Sequence, residues 1–257
     1  MPYPGGKGRM FQQLISLMPP HRVYIETHLG GGAVLRRKRP AEVNIAIDSD
    51  PKVIADWQRD LPAHVDLILG DAVAFLEAYR FSGDELVYCD PPYFPRTRRR
   101  TKVYRHDYRE KDHVRLLSCL LETRCRIMIS GYESALYNRA LSGWRRIDFP
   151  QWSQRGETME TVWLNYEPSR NLHDHNYIGA DFREREAVKR RRRGLIRRVL
   201  ELAPAERNAL VAELAVHDPD SFKSLTDTAA GSPSADAVAD ARQVPAEGIS
   251  CAGDRRA

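Results

Sequence analysis

Tyr24-Ile25-Glu26-Thr27-His28-Leu29-Gly30-Gly31-Gly32 is the stretch that decides the fold. An apolar, β-type run leads directly into three glycines, where a backbone can approach a ligand with no Cβ in the way. Val43-Asn44-Ile45-Ala46-Ile47-Asp48 repeats the strand pattern and ends on a carboxylate. Asp50-Pro51 then supplies an N-cap and a first-turn proline for a helix. Working outward, strands are expected at 22–27, 43–47, 65–70, 85–89, 126–130, 145–149 and 161–166. Helical spacing fills the intervals 8–17, 32–38, 51–59, 72–79, 110–123 and 134–141. Runs such as Val65-Asp66-Leu67-Ile68-Leu69 are nearly continuous in apolar residues, as strands buried on both faces are. The expectation is an α/β fold: a doubly wound, mostly parallel, seven-stranded Rossmann-like sheet with helices on both faces.

This unit is expected to occupy residues 1–170. A basic helical extension follows at 183–217, two helices joined at Ala203-Pro204. From 226 to 257 the chain is Ala, Gly, Ser, Pro and Asp with little bulky apolar content, the composition of a disordered tail. Hydrophobic residues make up 42% of 257, enough for a substantial core. That composition excludes collagen-like and wholly disordered chains. The four cysteines have no CxxC pair, which points to a reducing, cytoplasmic setting rather than a disulfide scaffold. No apolar run approaches the ~20 residues of a membrane span, and no signal peptide opens the chain.

The net charge of +5 hides a strong asymmetry. Residues 94–109 carry seven basic groups and one acidic, and residues 183–198 carry nine and two, leaving −8 for the remainder. Two basic strips on an acidic body are the footprint of a polyanion binder. Arg96, Arg98, Arg99, Arg100, Lys102, Tyr104 and Arg105 form the first strip. Its arginines suit phosphates and guanine edges, and its tyrosine suits stacking. Lys189, Arg190 and Arg191 belong to the second, which reads as a non-specific phosphate clamp.

Carboxylates recur at the strand ends. Asp48 lies 17 residues after Gly31, near the ~20 expected of a group that binds ribose hydroxyls. Asp71 follows the third strand and is placed to cap the next helix. Asp90-Pro91-Pro92-Tyr93 closes the fourth. Its prolines fix φ and leave bare carbonyl acceptors, so Asp90 and the Pro91 carbonyl can accept both N–H bonds of an exocyclic amine while Tyr93 stacks on the base.

Asp90-Pro91-Pro92-Tyr93 after a strand, with Tyr3-Pro4-Gly5-Gly6-Lys7 upstream and Glu26-x-x-x-Gly30-x-Gly32 between, resembles the S-adenosylmethionine-dependent N6-adenine DNA methyltransferases of the DNA-adenine methylase type. The resemblance continues through Thr97-Arg98, Tyr104-Arg105-His106, Asp112-His113 and Ile129-Ser130-Gly131-Tyr132 to Glu160-Thr161-Val162-Trp163-Leu164-Asn165-Tyr166, about residues 1–167. It implies S-adenosylmethionine as cofactor, held by Tyr3, Lys7, Glu26, Gly30, Gly32, Asp48, Asp71 and Asp90. It implies catalysis by the Asp90–Tyr93 loop on an adenine flipped out of double-stranded DNA. Two departures stand out: Thr27 and His28 occupy positions where the family has Pro-Phe, and no target-recognition insert separates Gly32 from Asp90. DNA contacts are then expected from the two basic strips.

The residues leave other readings open: N4-cytosine methylation by the same amine chemistry, RNA as substrate, or a catalytically silent DNA-binding module. Cytosine C5 chemistry lacks its Pro-Cys nucleophile, since Cys89 precedes Asp90. His173-Asp174-His175 has no third ligand nearby, so no metal is expected. Oligomeric state is open between monomer and weak dimer.

Overall fold

The computed structural model describes residues 10–95, 107–153 and 156–223. The predicted tail, Tyr3, Lys7 and the first basic strip from Arg96 to Arg105 lie outside them. Strands β1 (Val23–Glu26), β2 (Val43–Asp48), β3 (Val65–Leu69), β4 (Glu85–Cys89), β5 (Arg126–Gly131), β6 (Arg145–Ser153) and β7 (Gly156–Leu164) form one sheet in the order β3-β2-β1-β4-β5-β7-β6. The first five are parallel neighbours, while β7 runs antiparallel to β5 and β6. The expected α/β sheet is therefore the observed one. Helices α1 (Phe11–Ile15), α2 (Pro51–Gln58), α3 (Ala72–Ala78), α4 (Glu110–Glu122) and α5 (Ala135–Ala140) flank it, and α6 (Phe182–Glu201) and α7 (Pro204–His217) follow.

Successive side chains of a strand point to opposite faces, and here both faces are filled. Tyr24, Leu86, Tyr88 and Met128 pack on one side with Leu14, Met18 and Trp57. Ile25, Val87, Cys89, Ile127 and Ile129 pack on the other with residues of α3, α4 and α5. This two-sided burial is why the central strands read as continuous apolar runs. Helix α2 begins where the sequence places it, with the Asp50 side chain accepting from Lys52 N at 2.9 Å.

Two expectations are corrected. Residues 32–38 form a series of turns rather than a helix, with mixed bonds such as Arg36 N to Gly32 O and Arg37 N to Val34 O. Strands β6 and β7 are each nine residues long and form a long hairpin, so the last strand starts and ends earlier than expected. Pro150 lies within β6, where an edge strand tolerates a missing N–H.

The amino edge of the sheet is closed by a strap. His173 N donates to Met18 O, and Arg39 N donates to the Asp174 carboxylate, each at 2.9 Å. The His173 ring stacks on His21 with centroids 3.8 Å apart, and its Nε2 contacts Arg39 O. The His-Asp-His triplet is thus spent on joining this strap to the body. Helices α6 and α7 follow one another with Leu202 and Ala203 between them, and neither contains a buried residue. No described helix is long and apolar enough to cross a membrane.

Asp50→Ala is expected to remove the α2 cap and lower stability by about 1–2 kcal/mol, read as a reduced urea midpoint with an unchanged slope.

Candidate active site

Parallel strands bring their carboxyl ends to one edge, where ligands of open α/β sheets bind. Glu26 and Asp48 are the last residues of β1 and β2, Ser130 is the last but one of β5, and Asp71 and Asp90 follow β3 and β4. The glycine turn leaves β1 at the same edge. Gly30 and Gly32 have φ of +47° and +57°, the left-handed region open to glycine. Gly30 N donates to Asp48 Oδ2 at 2.8 Å, and Gly30 O accepts from Trp57 Nε1 at 2.9 Å. A Cβ on Gly32 would stand 2.1 Å from Trp57 Cζ2. The turn is therefore shaped by β2 and α2, and Gly32 is glycine because the indole fills the space beside it. Trp57 carries no motif signal; its place on the buried stripe of α2 was the one clue.

Asp48 joins the strand end to the turn, its other oxygen accepting from Asp50 N at 2.8 Å. As an acceptor-only group beside a glycine turn, it suits the hydroxyl donors of a ribose. Glu26 is directed inward: its Oε2 accepts from Tyr24 Oη at 2.8 Å and Leu35 N at 3.2 Å. Burial, reinforced by the Asp90 charge, pushes its carboxyl up to about 8. Asp71 caps α3 through Ala74 N and pairs with Arg115 at 2.9 Å. With Val73, Asp107, Tyr108, Asp112 and Arg115 it lines a cavity of about 190 Å³.

The Asp90–Tyr93 loop is held from β5 and β7. Ser130 Oγ donates to Asp90 Oδ1 at 3.0 Å, and Tyr88 Oη lies 3.1 Å from the same Ser130 oxygen. Pro91 is buried, and Tyr93 is 9% exposed. Tyr93 Oη donates to Glu160 Oε1 at 2.5 Å, and its ring lies 4.3 Å from that of Tyr132. Asp90 and Tyr93 thus lie on one short loop after β4, each held by a different neighbouring strand or loop. Ser130, Tyr132 and Glu160 fix them, and the motif stretches contain all three without revealing those contacts. Burial pushes the Cys89 thiol up to about 12, so it stays protonated.

His28 and Thr27, the departure from Pro-Phe, form a hydrogen-bonded pair. Thr27 Oγ1 is 2.8 Å from His28 Nδ1 and 3.4 Å from Tyr88 O, and His28 Nε2 is 2.9 Å from Tyr108 Oη. With the threonine hydroxyl on the carbonyl, Nδ1–H donates to Thr27 and Nε2 accepts from Tyr108, an assignment from the network. The glycine turn is thereby tied to the residue that opens α4's approach.

Gly32→Ala is expected to cost about 2–4 kcal/mol, from overpacking against Trp57 plus the left-handed backbone; a thermal melt reads it. The imidazoles give a pH dependence. Burial holds His21 well below 6.5, His28 at about 3 and His173 at about 4, with His113, Lys38 and other cations adding. An unfolded chain takes up these protons below its ordinary value and the fold refuses them, so stability present above about 6.5 is lost as pH falls toward 4. Glu26 acts oppositely between its ordinary 4.5 and about 8, and is outnumbered. The melting midpoint is expected to fall between pH 6.5 and 4.5, and His173→Asn to soften the fall.

No curated protein matches the chain. Among solved structures, an rRNA methylase from Streptococcus thermophilus is similar at 13% identity and a TM-score of 0.44, covering 63% of this chain and 96% of its own. TrmK of M. capricolum, solved with S-adenosyl-homocysteine, is similar at 10% identity and 0.43, covering 83% and 96%. The resemblance drawn from the motifs is borne out in sequence by residues 47–149, which match the family model of the D12 class N6 adenine-specific DNA methyltransferases.

Proposed function

We propose that the protein is an S-adenosylmethionine-dependent DNA methyltransferase that methylates the N6 amine of an adenine flipped out of the duplex. The observation that carries this reading is one short loop at the carboxyl end of the central strand β4 whose Asp90 is held by Ser130 and whose Tyr93 is held by Glu160 and Tyr132. The family match over residues 47–149 supports the amine chemistry.

The residues present fit the cofactor at the adjoining strand ends. Asp48 would accept from its ribose, the Gly30–Gly32 turn would line its amino-acid end, and Asp71 borders the cavity suited to its adenine. Tyr3 and Lys7 complete the set in the sequence. When bound, the cofactor supplies an electrophilic methyl on a sulfonium.

The adenine amine is a weak nucleophile because its lone pair is delocalised into the ring. Asp90 and the Pro91 carbonyl accept its two N–H groups and favour a pyramidal nitrogen whose lone pair faces the methyl. Asp90 also stabilises the positive charge that develops on the nitrogen, which is positioning with preorganised electrostatics. Ser130 holds one carboxylate oxygen so that the other faces the base. Tyr93, braced by Glu160 and Tyr132, offers an aromatic wall for the extruded ring. Extrusion costs a few kcal/mol, repaid by that stacking and by phosphate contacts from the basic strips.

Incubation with labelled cofactor and plasmid DNA, followed by base analysis, tests this. N6-methyladenine is expected as the product, and Asp90→Ala should reduce it by at least about 100-fold with an unchanged melting midpoint. Label in cytosine, label in RNA alone, or an unimpaired Asp90→Ala variant would overturn the reading.

A further inference from the structure

Helix α6 has two differently used basic faces. On one, Arg185 Nη1 donates to Gly179 O and Ala180 O at 3.3 Å, and Arg192 Nη1 donates to His175 O at 3.0 Å. Arg192 Nη2 reaches Asn176 Oδ1 at 3.3 Å. These arginines fasten the helix to the strap that closes the amino edge. At about 100° per residue, the other face lies about 120° further round the helix. It carries Arg190, Arg193 and Arg197, all exposed and with no hydrogen bond or ion pair. These three, with Glu186 and Gly194, line a groove of about 430 Å³.

Three guanidinium groups on one helix face repel one another weakly through solvent and together present a positive strip that an anion relieves. Glu186 lies at one end of the groove but is engaged by Lys189 at 3.1 Å, so the pair is neutral and the three arginines dominate. Gly194 adds a second feature. A mid-helix glycine costs stability, yet here a Cβ would meet nothing within 4 Å, so intramolecular packing does not require it. Its absent side chain leaves the floor of the groove open between the arginines. Arg190 to Arg197 spans about 10 Å along the helix, close to three nucleotide steps of about 3.4 Å on one strand. Guanidinium forks match phosphate oxygens in pairs.

We infer that the Arg190–Arg193–Arg197 groove is a backbone-phosphate grip for duplex DNA, anchored by the amino-edge strap rather than by the elements that carry Asp90. The inference rests on the reading of the protein as one that acts on DNA, and it refines the sequence expectation. The charge of Lys189 is used within the helix, Arg191 lies outside the groove, and Arg193 and Arg197 join Arg190. Such a grip supplies sequence-independent affinity and carries no base readout.

The test is fluorescence anisotropy of the full chain with a labelled duplex of arbitrary sequence, without cofactor, between about 50 and 200 mM KCl. Replacing Arg190, Arg193 and Arg197 together by Gln is expected to weaken binding at least 10-fold. It should also flatten the plot of log affinity against log salt by about 2–3 units, roughly 0.9 for each lost phosphate contact. Arg193→Gln alone should flatten it by about one unit, and the triple Lys variant should keep the slope, which guards against a folding defect as the cause. An unchanged slope and affinity would overturn the inference. So would a loss confined to anionic phospholipid vesicles or an acidic peptide while duplex binding persists. Because no methyl transfer is read, a flattened slope in a protein that methylates no DNA would sink the proposed reaction and leave the grip standing.

Discussion

Everything at the candidate site follows from five neighbouring strands running the same way. Parallel strands deliver all their carboxyl ends to one edge, so Glu26, Asp48, Asp71 and Asp90 are gathered there by topology. Gathering carboxylates is unfavourable, and each is relieved in its own way. Glu26 turns into the core and takes up a proton up to about pH 8. Asp48 accepts two backbone N–H groups, Asp71 takes a helix cap and Arg115, and Asp90 takes Ser130. Asp48 and Asp90 flank β1's glycine turn, the place where a ribose and a methyl donor are expected.

The glycine turn is a composite of three elements. Its backbone comes from the segment after β1, its N–H partner from the end of β2, and its packing partner, Trp57, from α2. The turn geometry therefore exists only once β2 has paired beside β1 and α2 has docked. His28 extends the same logic toward Tyr108 and so couples the turn to the chain entering α4. In place of the rigid Pro-Phe of the resembled family, this chain uses a partly buried, neutral imidazole with partners on both nitrogens.

The amino edge serves attachment. Stacked His21 and His173, with Lys38, Arg39 and Asp174 around them, hold the strap from which α6 departs. Because α6 buries no residue in the core, its position depends on a few arginine–carbonyl bonds, and its sequence is free to be basic. Chemistry and backbone affinity can then reside on separate parts of one small chain.

The sequence by itself determined the sheet and the identity of the site loop. The short, nearly continuous apolar runs of β1, β2, β3, β4 and β5 are a local mark of burial on both faces, and Asp90-Pro91-Pro92-Tyr93 is contiguous, so both are readable without coordinates. The turns at 32–38 escaped that reading because helical spacing of apolar residues also fits a compact turn series packed on a core. The full length of β6 and β7 escaped it because a hairpin at a sheet edge has weaker apolar alternation. Only the tertiary structure decided that Trp57 dictates glycine at position 32, that Ser130 and Glu160 orient Asp90 and Tyr93, and which arginines of α6 remain unpaired. Those contacts join residues distant in the chain or separated by face rather than by order, and proximity in space is what a linear pattern does not encode.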